Sequence, residues 1–193
     1  MKIGLYFGTF NPIHVGHLII ANHMAEHSDL DQIWMVVTPH NPLKKKASLV
    51  DDHHRLEMVH IATKGYDKIH ASDIEFKLPQ PNYTVNTLAH LEERFPKHTF
   101  CLIMGEDNLI SLEKWKNYDV ILEKYKIYIY PRIAEGEVPE HFLNHPNVIK
   151  VDAPIIELSS TFIRENIKLG KNITPMIDRQ VWDYIDHNLF YKK

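Results

Sequence analysis

The chain has 193 residues, 44% hydrophobic and 24% charged, with 22 Lys+Arg against 25 Asp+Glu and a formal net charge of −3. A chain of this size buries most of its apolar surface without staples, and its single Cys101 cannot form an internal disulfide, so a reducing, cytoplasmic setting is expected. The near-balanced charge argues against a dedicated binder of long nucleic acids, and the most apolar runs, Ile33 to Val37 and Phe100 to Met104, are far shorter than the roughly 20 residues that cross a bilayer.

Met1 to Phe7 reads as a strand ending at Gly8, and the apolar run from Ile3 is broken by Asn11, Pro12 and His14, unlike a signal peptide. Val15 to Glu26 follows as a helix, with Leu18, Ile19, Ala21, Asn22 and Ala25 in helical spacing, and Ile33 to Val37 is the next strand. Strand, loop, helix, strand opens a βαβ unit and predicts a parallel sheet with right-handed crossovers. A loop through Lys46 leads to a helix over Asp52 to Thr63, faced by Leu56, Val59 and Thr63, and then to short β segments near Ile69 and Ile74. Thr84 to Phe95 is a helix capped by Thr84 and stopped before Pro96. Phe100 to Met104 is a buried strand ending at Gly105, followed by a helical stretch around Leu109 to Leu122 and a strand over Lys126 to Tyr130.

Gly136, Pro139 and Pro146 mark Ala134 to Pro146 as a surface excursion. Two helices close the chain, Ser159 to Leu169 and Pro175 to Asn188, the second with Thr174 as N-cap and Ile177, Val181, Tyr184 and Ile185 on one face. The expected fold is α/β, a Rossmann-like parallel sheet with helices on both faces. Residues 1–193 are expected to form a single domain with a small C-terminal helical portion from about residue 159 to 193.

None of the common phosphate-loop, dinucleotide or nucleophile-elbow patterns occurs, so a phosphate site must be built differently. The candidate is Gly8-Thr9-Phe10-Asn11-Pro12-Ile13-His14-Val15-Gly16-His17, where the first strand feeds the first helix. Gly8 permits a tight turn and close backbone approach, and a helix start presents unpaired N–H groups to an anion. His14 and His17 sit three residues apart at that positive end. The turn after the first strand is also where open α/β sheets take phosphate. Other histidines, notably His53, His54 and His60 on one helix, lack a cysteine partner and the H-E-x-x-H pattern, and read as solvated or satisfied.

The same segment resembles the GTFDP…HxGH signature of nucleotidyltransferases, which include pantetheine-phosphate adenylyltransferases and cytidylyltransferases. Three further segments narrow the resemblance: Pro81-Asn82-Tyr83-Thr84, then Ile103-Met104-Gly105-Glu106-Asp107-Asn108 with Trp115 downstream, then Leu158-Ser159-Ser160-Thr161-Phe162-Ile163-Arg164. In that order they are similar to the PSYT, IIGxDs…W and ISSTxIR motifs of bacterial nicotinate-nucleotide adenylyltransferases, and the likeness runs from Leu5 to Asn188-Leu189-Phe190-Tyr191.

The resemblance implies transfer of AMP from ATP to nicotinate mononucleotide in NAD biosynthesis. It implies His14 and His17 as catalytic residues, and Gly8, Thr9, Phe10, Gly105, Asp107, Ser159, Ser160 and Arg164 around ATP. Mg²⁺ is expected on the ATP phosphates, without a metal site of the protein's own. For the acceptor mononucleotide it implies Lys44, Lys45, Tyr83, Thr84, Trp115 and Arg132. Bland alternatives stand beside several of these: Asp107 and Ser159 to Thr161 as helix caps, Trp115 as core, and the lysine run as a solvated loop. The sequence departs from the family at Phe7, where a glycine is usual, at Asn11, where an aspartate is, at Pro42-Leu43-Lys44-Lys45 in place of PPHK, at Lys116 in place of an aromatic, and in the glycine missing after Arg132. Competing readings are the same chemistry on nicotinamide mononucleotide or a phosphopantetheine-type acceptor, and a nucleotide sensor without turnover. Neither nucleic acid nor membrane is an expected partner, and homo-oligomerisation is left open.

Overall fold

The computed structural model describes residues 1–39, 49–133 and 136–192. Six strands form one sheet: β1 (Lys2–Gly8), β2 (Gln32–Val37), β3 (Ile69–Ser72), β4 (Thr99–Gly105), β5 (Ile127–Tyr130) and β6 (Val148–Lys150). Their order is β3-β2-β1-β4-β5-β6, every pair parallel. This is the doubly wound Rossmann order, whose direction reverses between β1 and β4 and opens a crevice at their carboxyl ends.

Strand alternation divides the core into two layers, because successive side chains point to opposite faces. Met35, Val37, Cys101, Ile103 and Tyr128 face one layer, which is closed by α1 (Val15–His27), α2 (Asp52–Thr63), α7 (Ser160–Lys168) and α8 (Arg179–His187). Ile3, Leu5, Leu102, Met104, Ile127 and Ile129 face the other, covered by α3 (Thr84–Arg94), α4 (Glu106–Ile110), a 3₁₀ turn at Leu112–Lys114, α5 (Tyr118–Lys124) and α6 (Glu140–Leu143). The parallel sheet with helices on both faces is as expected from the sequence. Among the described residues no helix is long and apolar enough to cross a membrane.

Several local expectations are corrected. On α1 the buried stripe includes Leu18, Ile20, Ala21, Met24 and Ala25, while Ile19 and Asn22 face outward. On α2 the buried face runs through Arg55, Met58, Val59, Ala62 and Thr63, with Leu56 at its margin. Thr84 is the first helical residue of α3 and Tyr83 is its N-cap, with no side-chain cap. Ile74 lies in a turn after β3, not in a strand. The chain from Glu140 returns to the core: Phe142 is fully buried and Val148–Lys150 adds a sixth strand beside β5. The closing helix begins only at Arg179, capped by Asp178, whose carboxylate accepts from the Gln180 and Val181 N–H groups; Thr174–Met176 is a separate 3₁₀ turn.

Candidate active site

The crevice at the switch point is a cavity of about 830 Å³ lined from both faces of the sheet. Gly8, Thr9, Phe10, His14, His17, Tyr83, Thr84, Asp107, Trp115, Arg132, Ser159, Ser160 and Arg164, scattered through the sequence, share its wall. Gly105 does not line it but stands behind Asp107, and Lys44 and Lys45 lie outside the described residues. Glu75, Asn82 and Lys116 join the wall without having been singled out as ligands from the sequence.

The turn after β1 is held from several sides. The Thr38 N–H donates to the Gly8 carbonyl at 2.9 Å, extending the β1–β2 pairing into the turn. Phe10 is in the left-handed region at φ 43°, and its ring lies so close to Gly8 that a Cβ there would come within 2.7 Å of it. A bulky residue in that conformation is strained and persists only where its surroundings over-determine it. Asn11 is one such constraint: its Oδ1 accepts from the Val50 N–H at 3.2 Å and the Tyr191 hydroxyl at 2.8 Å.

His14 is the N-cap of α1, and the imidazoles of His14 and His17 stack with centroids 3.7 Å apart. Gly16 makes this possible, since a Cβ there would lie 3.0 Å from His14 Nδ1 and 2.8 Å from Ile156. His17 Nδ1 accepts from the His14 N–H at 3.2 Å, which assigns the neutral ring's proton to Nε2. His14 is 4% exposed, and burial, with a smaller contribution from the Arg132 charge, lowers its pKa to about 4. It is therefore neutral at pH 7, a donor without a full charge in the free protein. Its Nδ1 is buried without a hydrogen-bond partner among the described residues.

The opposite wall is the start of α7. Ser159 caps that helix, its Oγ accepting from the Phe162 N–H at 3.2 Å. The Ser160 hydroxyl donates to the Pro12 carbonyl at 2.8 Å, and Arg164 donates from Nη1 to the Asn11 carbonyl at 2.9 Å. These two contacts fasten α7 to the turn after β1, so two helix N-termini, α1 and α7, meet over one space. That concentrates unpaired N–H groups and positive dipole ends where an anion is favoured.

Across the sheet edge, Arg132 at the end of β5 pairs with Asp107 Oδ2 at 3.4 Å, while Asp107 Oδ1 is buried without a partner among the described residues. Trp115 packs partly against the second core layer, and its indole N–H is likewise unpaired among the described residues. Lys116, where the sequence departs from the family's usual aromatic, places its ammonium 4.6 Å from the Tyr83 ring centroid. Beneath α3, Glu75 is 1% exposed; its Oε1 accepts from the Thr87 hydroxyl at 2.7 Å, and its backbone carbonyl accepts from Asn82 Nδ2 at 3.1 Å. Burial raises the Glu75 pKa against the opposing hydrogen bonds of Thr87 and Thr38.

Sequence reading passed over Glu75 and Arg55 because charged residues are ordinarily exposed. For Arg55 a signal existed: it occupies the apolar register of Met58, Val59 and Ala62 on α2. The three histidines of α2 are solvated or satisfied as expected, His54 Nδ1 pairing with the Tyr184 hydroxyl at 2.8 Å and His53 and His60 being exposed, whereas His98 Nδ1 is buried without a partner among the described residues.

A doubly wound sheet with two helix N-termini and a stacked histidine pair at its switch point defines a Rossmann-like protein whose crevice is suited to an anionic, phosphate-bearing ligand. A family profile described as cytidylyltransferase-like matches residues 5–166. A Flavobacterium psychrophilum protein named "Probable nicotinate-nucleotide adenylyltransferase" is 67% identical over 193 residues, covering 100% of both chains. One of the same name from Cytophaga hutchinsonii is 48% identical over 99% of this chain and 98% of its own. A solved structure of Plasmodium falciparum nicotinic acid mononucleotide adenylyltransferase complexed with NaAD shares the fold with a TM-score of 0.82 at 22% identity, covering 98% of this chain and 97% of that one. The chain belongs to the nicotinate-nucleotide adenylyltransferase family within the cytidylyltransferase-like group.

Proposed function

We propose that the chain transfers AMP from MgATP to nicotinate mononucleotide, releasing pyrophosphate and forming nicotinate adenine dinucleotide. The observation that carries this reading is the single cavity that joins the α1 and α7 N-termini, with His14 and His17, to the α3 N-terminus and Trp115. The first pair suits a triphosphate. The second suits a flat ring bearing a carboxylate: Tyr83 and Thr84 open an 11-residue helix with no acidic residue in its first turn, whose unpaired N–H groups favour an anion by about 0.3–1 kcal/mol. Glu75 nearby has its ionisation opposed by burial, which reduces repulsion of that carboxylate.

In the reaction an oxygen of the acceptor's 5′-phosphate attacks the α-phosphorus of ATP, and the bond from that phosphorus to the β,γ-pyrophosphate breaks. An ionised phosphate is already nucleophilic, so no general base is needed, and catalysis reduces to in-line positioning and stabilisation of charge on the α-phosphate and leaving pyrophosphate. His17, protonated on Nε2, and neutral His14 supply hydrogen bonds there, with Arg164 toward the distal phosphates. Ser159, at the start of α7, lies on the same side, and Asp107 is suited to accept from a ribose hydroxyl. Bound to the triphosphate, Mg²⁺ would offset its charge, and such an ion is characteristically held by phosphate and water ligands rather than by a dedicated protein cage. Among the described residues no group of three or more histidine, cysteine or carboxylate ligands could hold a metal ion.

The test is incubation with MgATP and, separately, nicotinate mononucleotide, nicotinamide mononucleotide and a phosphopantetheine, with pyrophosphate and dinucleotide both assayed. Turnover is expected with the nicotinate acceptor above all. No pyrophosphate with any acceptor, despite ATP binding, would leave a sensor in its place.

A further inference from the structure

Arg55 has none of its surface exposed, and among the described residues it is the largest of the fully buried side chains. Its guanidinium has five N–H donors, and five acceptors meet it. Nε donates to the Val50 carbonyl at 2.9 Å, Nη1 to the carbonyls of Thr9 at 2.5 Å and Thr38 at 3.0 Å, and Nη2 to the Pro39 carbonyl at 3.4 Å and Asp52 Oδ1 at 2.5 Å. Thr9 belongs to the turn after β1, Thr38 and Pro39 to the turn after β2, and Val50 to the approach to α2. One side chain therefore ties together the loops at the carboxyl ends of the two neighbouring strands.

The contact with Thr9 has a directional consequence. In a trans peptide the C=O and N–H point opposite ways. With the Thr9 oxygen turned toward Arg55, the Phe10 N–H of the same peptide is turned away from it. The strained Phe10 backbone is thus gripped by Arg55 through Thr9 on one side and by the fit of its ring against Gly8 on the other. Thr9, Phe10 and Thr38 all line the cavity, whereas Arg55 does not.

We infer that Arg55 is a positioning residue for the transfer reaction: its buried fork sets the direction of the Thr9–Phe10 peptide and couples the turn after β1 to the turn after β2. This rests on the reading of the cavity as the site of adenylyl transfer. Only a planar fork meets so many fixed acceptors at once; a lysine keeps the charge but offers three donors from a single nitrogen. A displacement of about 1 Å in such a turn is enough to cost on the order of 10²-fold in rate.

The test compares Arg55→Lys, Arg55→Ala with and without added guanidinium, and the control Met58→Ala, which opens the same buried face of α2 one turn beyond Arg55. Rates are expressed per folded molecule, using near-ultraviolet circular dichroism and thermal melts. Arg55→Lys is expected to lose on the order of 10²-fold in kcat/KM for ATP, mostly in kcat. Guanidinium should restore turnover to Arg55→Ala beyond any gain in folded fraction, and Met58→Ala should keep wild-type constants despite lower stability. Arg55→Lys with wild-type turnover per folded molecule overturns the inference. So does guanidinium that restores folding but not turnover, or Met58→Ala with an equal kinetic loss. Failure of the wild-type chain to release pyrophosphate overturns the reading of the site instead, so the two failures are distinct.

Discussion

Acidification should destabilise this protein through His14. The folded-state pKa is lowered to about 4 from the ordinary 6.5, chiefly by burial. Between those values the unfolded chain binds a proton at this position and the folded protein does not, so stability is lost as pH falls from 6.5 toward 4 and the loss is complete below 4. Relative to neutral or alkaline pH, the linkage relation gives a loss of about 2 kcal/mol at pH 5 and about 3 kcal/mol at pH 4. Because His14 is 4% exposed, solvent screening does not discount this figure greatly. For a chain of this length about 2 kcal/mol corresponds to a fall of roughly 4–8 °C in Tm. The assay is urea unfolding at a series of pH values for the wild type and His14→Gln, which removes the titrating ring while other groups titrate in both. The wild type should lose more stability on acidification, by about the amounts above. Parallel curves would refute the argument that His14 is held neutral by burial.

His17→Ala should lower kcat on the order of 10²–10³-fold, as for removal of a donor aimed at developing charge; steady-state kinetics with MgATP and nicotinate mononucleotide decide it, and normal turnover removes His17 from the mechanism. Gly16→Ala must push back Ile156 or the His14 ring, since its Cβ would lie 2.8 and 3.0 Å from them. The cost should be about 1–3 kcal/mol with slowed turnover, and wild-type stability and rate would show the histidine stack to be insensitive to this packing. Trp115→Ala should raise the KM for the acceptor while leaving kcat and the ATP KM nearly unchanged, the pattern of lost uniform binding; a kcat defect without a KM change would count against stacking.

Much of the architecture was legible because parallel strands buried on both faces read as short apolar runs, as at Ile33 to Val37 and Phe100 to Met104. The sixth strand was not, because three residues are too few to establish a period and the preceding Gly and Pro residues suggest only a loop. The N-cap of α3 was read one residue late, at Thr84 instead of Tyr83, and the start of the last helix several residues early, before Asp178, since a Thr or Pro signals a cap only where the backbone presents an N–H to it. Ser160 was legible as a member of the site, but its bond to the Pro12 carbonyl depends on two segments 148 residues apart. Glu75 and Arg55 escaped for a related reason: Glu75 is satisfied by the Thr87 hydroxyl of α3, and Arg55 adds to nearby Val50 and Asp52 the Thr9 and Thr38 carbonyls of turns that only the fold brings to it.

The near-neutral charge and apolar content determined a chain able to build its own core, and strand-to-helix order with the Gly8 to His17 segment determined where an anion would be received. Those are local properties of turn, helix start and residue type. What only the tertiary structure decided is the electrostatic state and aim of the groups there: His14 kept neutral by burial, Gly16 spared a side chain so two imidazoles can stack, and Arg55 buried where it can orient the turn after β1. Burial and hydrogen-bond direction depend on which distant segments meet, and the order β3-β2-β1-β4-β5-β6 sets that meeting.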